Sequence, residues 1–302
     1  MSVKSGYITI IGKPNVGKST LLNAFLGEKL SITTNKPQTT RKRVMGILST
    51  DTYQVIFLDT PGILKPDYLL QEKMLEYILQ SVKDADILLF IIDITADPEG
   101  KKTLEDENVK KILAVSRKKK IVLLNKVDLS NEEKVKALMS KLEKMEMFDR
   151  IFPVSALLNY NTDNVMASIL EFLPEHPKYF PDDRLTDEPE RFFVSEIIRE
   201  KILEQFHDEV PYSTEVVIDD FKEREGRKDF IQAAIIVEKE SQKPIIIGKQ
   251  GTAIKVLGQR SREAIEAFLQ RPVFLELRVK VRNKWRSDPN YLKSFGYSTD
   301  EE

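Results

Sequence analysis

Residues 12–19 read Gly12-Lys13-Pro14-Asn15-Val16-Gly17-Lys18-Ser19, and the reading of these eight decides the fold. They match the phosphate-loop pattern G-x-x-x-x-G-K-[ST]. A run suited to a strand, Tyr7-Ile8-Thr9-Ile10-Ile11, precedes them, and Thr20–Leu26 follows with helical apolar spacing. In that context the glycines let the backbone curl so that successive N–H groups point inward, an anion cradle at a helix N-terminus. Asn15, Val16, Gly17 and Thr20 are expected in that cradle. Lys18 adds a point charge for the β- and γ-phosphates, and the Ser19 hydroxyl is placed to ligate Mg²⁺. A chance glycine-rich turn would not need the strand before it and the helix after it.

At 302 residues the chain has room for two domains. Hydrophobic content of 41% with 31% charged residues fits a globular protein with a buried core. There is no cysteine, which excludes disulfides and thiolate zinc sites, and nothing indicates an oxidising compartment. The apolar run Ile87–Ile92 is too short to span a bilayer. Met1–Lys4 leads straight into the first strand and leaves no room for a signal peptide, so a cytoplasmic location is expected; a monomer is expected as well.

Working outward, Ser31–Thr40 reads as a polar loop, Arg43–Ser49 and Tyr53–Asp59 as a hairpin, and Leu69–Lys83 as a helix. Ile87–Asp93 and Ile121–Asn125 look like strands covered on both faces. Helices are expected over Leu104–Ser116, Glu132–Met147 and Val165–Leu173, with a short strand at Ile151–Val154. Strands alternating with helices predict a doubly wound, mostly parallel six-stranded α/β domain over residues 1–174.

Three stretches follow strands on the phosphate-loop side. Asp59-Thr60-Pro61-Gly62 has the D-x-x-G form: its carboxylate would hold Mg²⁺ through water, and the Gly62 N–H would contact the γ-phosphate. Asn125-Lys126-Val127-Asp128 has the N-K-x-D form. The Asp128 carboxylate can accept from N1–H and the exocyclic amine of guanine together, whereas adenine would leave it unpaired. Ser155-Ala156-Leu157 offers small residues whose backbone N–H groups can approach guanine O6. In the loop Gln38–Arg41, Thr40 is favoured over Thr39 to complete the metal shell with Ser19 and Asp59. Lys18, Thr40 and Gly62 are the expected catalytic set. Ile63, after the D-x-x-G glycine, cannot orient water as a glutamine does, so slow intrinsic hydrolysis is expected. Arg41 and Arg43 are open as arginine fingers but read better as solvated or partner-binding.

Pro174, Pro177, Pro181 and Pro189 mark a semi-rigid linker, 175–190. Over 191–302 the order changes to α-β-β-α-α-β. Ile247-Gly248-Lys249-Gln250-Gly251 lies between the two helical stretches, an I-G-x-x-G signature of the KH fold, which grips about four nucleotides. Residues 243–286 hold eleven Lys and Arg against three Glu, a surplus of eight positive charges, the footprint of a phosphate backbone. RNA contacts are expected from this loop with Lys255, Arg282, Lys284 and Arg286. Trp285 either stacks on a base or fills the core. The run Arg117–Lys120 reads as a solvated helix end favoured by the dipole.

Together G-K-P-N-V-G-K-S, Q-T-T-R, D-T-P-G, N-K-V-D, S-A-L and I-I-G-K-Q-G resemble the Era-type GTPases, phosphate-loop GTPases with a C-terminal KH domain, over nearly the whole chain. The resemblance implies a GTP/GDP-binding assembly factor for the 30S ribosomal subunit that binds near the 3′ end of its ribosomal RNA. It further implies a peripheral contact with the inner membrane surface and a potassium ion bound with help from Asn15. The competing classes are a metabolic or transport NTPase whose second domain is only structural, and a non-enzymatic RNA-binding module.

Overall fold

The computed structural model describes residues 3–34, 36–115 and 118–297, which form two compact units, 1–67 with 71–187 and 68–70 with 188–302. The expectations placed on Met1, Ser2, Ser116 and Arg117 lie outside the described residues.

In the first unit the chain runs β1 (Lys4–Gly12), α1 (Lys18–Leu26), β2 (Val44–Ser49), β3 (Tyr53–Asp59), α2 (Leu69–Asp84), β4 (Ile87–Asp93), α3 (Lys101–Leu104), α4 (Glu107–Val115), β5 (Lys119–Asn125), α5 (Glu132–Glu143), β6 (Arg150–Pro153) and α6 (Thr162–Phe172). The six strands lie in the order β2-β3-β1-β4-β5-β6. Only the β2–β3 pair is antiparallel. The two-residue period of a strand sorts the apolar side chains. Ile8, Ile10, Leu89 and Ile91 pack with Leu21, Leu22, Val165 and Ile169 from α1 and α6. Leu88, Phe90 and Ile92 pack with Ile78, Ile112 and Leu138 from α2, α4 and α5. The phosphate loop and the ends of β3, β4 and β5 therefore meet on one rim of the sheet, where such folds bind ligands.

Two helices differ from the sequence reading. The stretch expected as one helix from Leu104 breaks, because the Asp106 carboxylate accepts from the Asn108 and Val109 N–H groups at 3.0 and 3.3 Å and starts a new helix, α4. Helix α5 stops at Glu143 rather than Met147, and Glu146 takes a left-handed φ of 49°.

The proline-rich stretch groups with the first unit as far as residue 187. Gln54 on β3, fully buried, donates to the Phe180 carbonyl at 2.8 Å and accepts from the Tyr179 and Phe180 N–H groups at 2.8 and 3.0 Å. The Ile47 N–H on β2 donates to the Leu185 carbonyl at 2.8 Å. Phe180 packs, with Tyr7, against the apolar patch of Met45, Ile47, Ile56 and Leu58. Proline composition announced a spacer, but these contacts make much of it a strap over the hairpin.

The second unit runs α7 (Glu190–Gln205), β7 (Thr214–Lys222), β8 (Asp229–Val237), α8 (Lys243–Ile247), α9 (Thr252–Leu269), β9 (Val273–Val281) and α10 (Pro289–Ser294). Its sheet is ordered β7-β8-β9, antiparallel then parallel. Val194, Ile198 and Ile202 of α7 and Leu257 and Ile265 of α9 bury one face against Ile231 and Ile235. Helix α10, capped by the Asp288 carboxylate, was not anticipated. No helix among the described residues is long and apolar enough to cross a membrane.

Candidate functional site

The rim of the first sheet holds a cavity of about 410 Å³, a volume suited to a nucleotide. Asn15, Gly17, Lys18, Ser19, Thr20, Thr40, Gly62, Asn125, Lys126, Asp128, Ser155, Ala156 and Leu157 all line it, so five separate stretches of the chain meet at one place. Pro14, Ile32, Thr33, Thr34, Gln38, Thr39 and Leu129 also line it. Apart from Thr39, none of these seven was singled out as a nucleotide contact, because a pattern marks invariant chemistry and not the flanking walls.

Two glycines are required by close approach. Gly17 sits at φ 101°, and a Cβ there would collide with Asn125 Nδ2. A Cβ on Gly62 would lie 2.7 Å from the backbone of Pro14, so the D-x-x-G turn rests directly on the phosphate loop.

Asn125, buried at the end of β5, ties the loops together. Its Nδ2 donates to the Val16 carbonyl at 2.7 Å, and its Oδ1 accepts from the Ala156 N–H at 2.9 Å. Val16 turns its side chain into the core and presents only backbone to this region. Asp128 lies exposed on a single 3-10 turn, Val127–Leu129, and its carboxylate has no partner among the described residues. Leu129 and Leu157, 71% and 77% exposed, give apolar surface beside it, as the face of a purine requires.

At the phosphate end Lys18 is buried, and its Nζ donates to the Gly12 and Lys13 carbonyls at 3.2 and 3.0 Å. Burial lowers its pKa to about 8. Behind it Ser19 Oγ donates to Asp59 Oδ2 at 2.7 Å. Thr40 Oγ1 lies 3.0 Å from Ser19 Oγ and 3.3 Å from the same carboxylate oxygen. Asp59 is fully buried, and burial pushes its pKa up against the pull of the Ser19 hydrogen bond and the Lys18 charge. Its other oxygen, Oδ1, is buried without a hydrogen-bond partner. Three hard oxygen donors and an orphaned carboxylate oxygen fit a small divalent cation. Thr39 Oγ1 donates to the Lys36 carbonyl at 2.7 Å, whereas Thr40 is the threonine whose hydroxyl meets Ser19 and Asp59.

Lys126 takes a left-handed φ of 66° and donates to the Asn15 carbonyl at 2.8 Å, while Asp93 at the end of β4 holds the same ammonium at 2.6 Å. Although burial opposes it, Lys126 and the Thr95 hydroxyl keep the Asp93 carboxyl below the usual carboxylate range. Asp93 escaped the sequence reading. The only signal was an apolar strand ending in an acid on the phosphate-loop side.

Ile63 is 1% exposed within the core, and its N–H donates to the Gly12 carbonyl at 3.0 Å. Arg43 pairs with Asp84 at 3.1 Å and Arg41 is buried, so neither stands ready as an arginine finger.

In the second unit the G-x-x-G loop is a tight turn between α8 and α9. Gly248, Gln250 and Gly251 have φ of 75°, 53° and 76°, with Lys249 and Gln250 exposed at its tip. Ile247 closes α8, and Lys255 is exposed one turn into α9. Arg282 and Lys284 are exposed. Two expectations are corrected. Trp285 is 0% exposed, donates from Nε1 to the Ser213 carbonyl at 2.9 Å and meets the Phe295 ring edge-on, so it is a core residue and cannot stack on a base. Arg286 is drawn onto Glu238 at 2.5 Å and is mostly covered, which takes its charge out of the basic surface.

Comparison with known proteins places this geometry. Residues 7–126 match the family described as 50S ribosome-binding GTPase, and residues 209–286 match the KH domain family. The chain is 44% identical over 293 residues to GTPase Era of Geotalea daltonii, covering 97% of each chain. It is 47% identical to GTPase Era of Syntrophus aciditrophicus, over 98% of this chain and 95% of the relative. Among solved structures, a variant of Aquifex aeolicus Era bound to GDP·AlF4⁻ matches with a TM-score of 0.89 at 42% identity, over 98% of this chain and 100% of that one. Era in complex with MgGDPNP and nucleotides 1506–1542 of 16S ribosomal RNA matches with a TM-score of 0.91, again at 42% identity, over 98% and 99%.

Proposed function

The chain belongs to the Era GTPases, and from that premise we infer that GTP binding and hydrolysis in its first unit govern the binding of small-subunit ribosomal RNA by its second. The chain is a GTPase with a KH domain. The observation that carries the reading is that Lys18 and Asp128 line one cavity, the first suited to phosphates and the second to guanine, in a chain that also carries a G-x-x-G turn.

Lys18 and the inward N–H groups of the phosphate loop bind the polyphosphate, and Asp128 selects guanine with the Ala156 amide nearby. Lys126, held between Asp93 and Asn15, gives its stem to the purine face. Ser19, Thr40 and Asp59 would hold Mg²⁺, which neutralises charge on the phosphates. Thr40 and the Asp59–Gly62 turn lie where a γ-phosphate orders both loops. Asn15, exposed at φ 62° on the crest of the loop, is where a potassium ion would act. Since Ile63 is buried, attacking water is oriented by something other than that side chain, and basal hydrolysis is slow.

In the second unit the Ile247–Gly251 turn lets an RNA backbone approach closely, with Lys255 one turn into α9, and the exposed Arg282 and Lys284 after β9 add positive charge. The partner we propose is the 3′ region of 16S ribosomal RNA within the 30S subunit, in keeping with the complex solved for the relative. We place the protein in the cytoplasm as a monomer, while a contact at the inner membrane rests on family resemblance alone. The test is RNA affinity measured with GDP and with a non-hydrolysable GTP analogue. A clear difference is expected, and equal affinities would remove the coupling.

A further inference from the structure

Ser19 and Asn23 stand four residues apart in α1 and so share one face of the helix. Ser19 engages Asp59 Oδ2. Asn23 engages the chain just beyond the helix. Its Oδ1 accepts from the Leu30 and Ser31 N–H groups, both at 2.9 Å, and its Nδ2 donates to the Ser31 carbonyl at 2.8 Å. One side-chain amide thus takes both backbone polar groups of Ser31 and holds the root of that residue's side chain. Ser31 opens the loop that ends on Thr40, and it is only 3% exposed. Its hydroxyl is buried with no hydrogen-bond partner among the described residues, as is Asp59 Oδ1. The two groups are nonetheless neighbours: burial raises the Asp59 pKa, and the Ser31 hydroxyl is among the groups that pull it back. Neither residue lines the nucleotide cavity, although Ile32 does, so Ser31 lies behind the site.

A buried hydroxyl left unused carries a desolvation cost that alanine would avoid, so its presence calls for an acceptor. Asp59 Oδ2 already meets Ser19 and Thr40, which leaves Oδ1 as the carboxylate oxygen with room. We propose that Ser31 is a positioning residue of the cation site, its hydroxyl donating to Asp59 Oδ1 and setting the plane of the carboxylate for Mg²⁺, with Asn23 holding Ser31 in place. This rests on the Mg²⁺ reading given above and adds two residues to it. A carboxylate pinned at one oxygen offers the other to a cation without first losing rotational freedom, and outer partners of this kind raise metal affinity. Asn23 and Ser19 then act as a pair from one helix face, the second on the carboxylate directly and the first through Ser31. The loop 31–40 is fastened to a single carboxylate at both of its ends, by Ser31 and by Thr40.

The experiment loads the full chain with a fluorescent GDP analogue and follows its release while Mg²⁺ is titrated. Bound Mg²⁺ slows release, and the Mg²⁺ concentration at half effect is the readout. Ser31→Ala should raise that concentration about tenfold. GDP affinity in the presence of a chelator, and the melting temperature without nucleotide, should stay as they are. Asn23→Ala should raise the half-effect concentration as well, and should add nothing further in a Ser31→Ala background. An unchanged Mg²⁺ dependence in Ser31→Ala would overturn the proposal. So would an equal loss of GDP affinity in chelator, which marks a general structural role, and so would additive shifts in the double variant. If Mg²⁺ does not slow release from the unaltered protein, the assignment of Ser19, Thr40 and Asp59 to the cation fails with it.

Discussion

Ser19 Oγ and Asp59 Oδ2 lie 2.7 Å apart, joining the first turn of α1 to the end of β3 through a carboxylate whose second oxygen has no partner. Thr40 closes the same triangle from the loop before β2. Three separate segments thus converge where a cation would bridge protein and phosphate. Asp59→Asn keeps the volume and removes the charge. It is expected to weaken Mg²⁺-dependent GTP binding by about 10–100-fold. GDP binding in the presence of a chelator should be little changed, and titration calorimetry with and without Mg²⁺ reads both.

Burial holds Lys18 at about 8 before nucleotide arrives. Phosphates favour its charged form, so binding raises that value and takes up a proton at and above pH 8. Affinity should be flat well below pH 8. It should fall as pH rises through 8, by at most about tenfold per unit, until the raised value of the complex is reached. Calorimetry at pH 8.5 in two buffers of different ionisation enthalpy measures the proton directly. Equal apparent enthalpies would contradict this account.

Asp128 is the exposed carboxylate of the cavity. Asp128→Asn should lower GTP affinity by at least about a hundredfold and favour xanthine nucleotides, whose C2 carbonyl suits an amide donor. Competition binding with GTP and XTP checks it, and unchanged guanine affinity would refute the assignment.

Asp93 contacts Lys126 at 2.6 Å and does not line the cavity, which makes it a positioning residue. Asp93→Asn should weaken GDP binding by about tenfold, but only while Lys126 is present. In a Lys126→Met background the same change should do nothing further. Additive losses would mean that Asp93 acts through the fold in general.

Trp285 packs in the core of the second unit with its Nε1 on the Ser213 carbonyl. Trp285→Phe leaves that carbonyl without its donor and should cost about 1–3 kcal/mol of stability by denaturant unfolding. RNA affinity of the folded protein should stay the same. Lost RNA affinity without lost stability would restore a stacking role.

Much was legible in the order of residues because local physics sets it. A glycine-rich turn between strand and helix, an acid after a third strand and an N-K-x-D after a fifth are short-range patterns, and each strand's two-residue period declares which side chains face which helices. The α-β-β-α-α-β order of the second unit could be read the same way. Tertiary structure decided what depends on partners far away in the chain. That Thr40 rather than Thr39 faces Asp59, that Asp93 grips Lys126, that Gln54 straps down Tyr179 and Phe180, and that Trp285 is sealed inside all follow from which distant groups fill or vacate the space around a side chain. A tryptophan within a basic run looks the same in sequence whether it meets a base or a core. Only the packing around it, here Ser213 and Phe295, makes the choice.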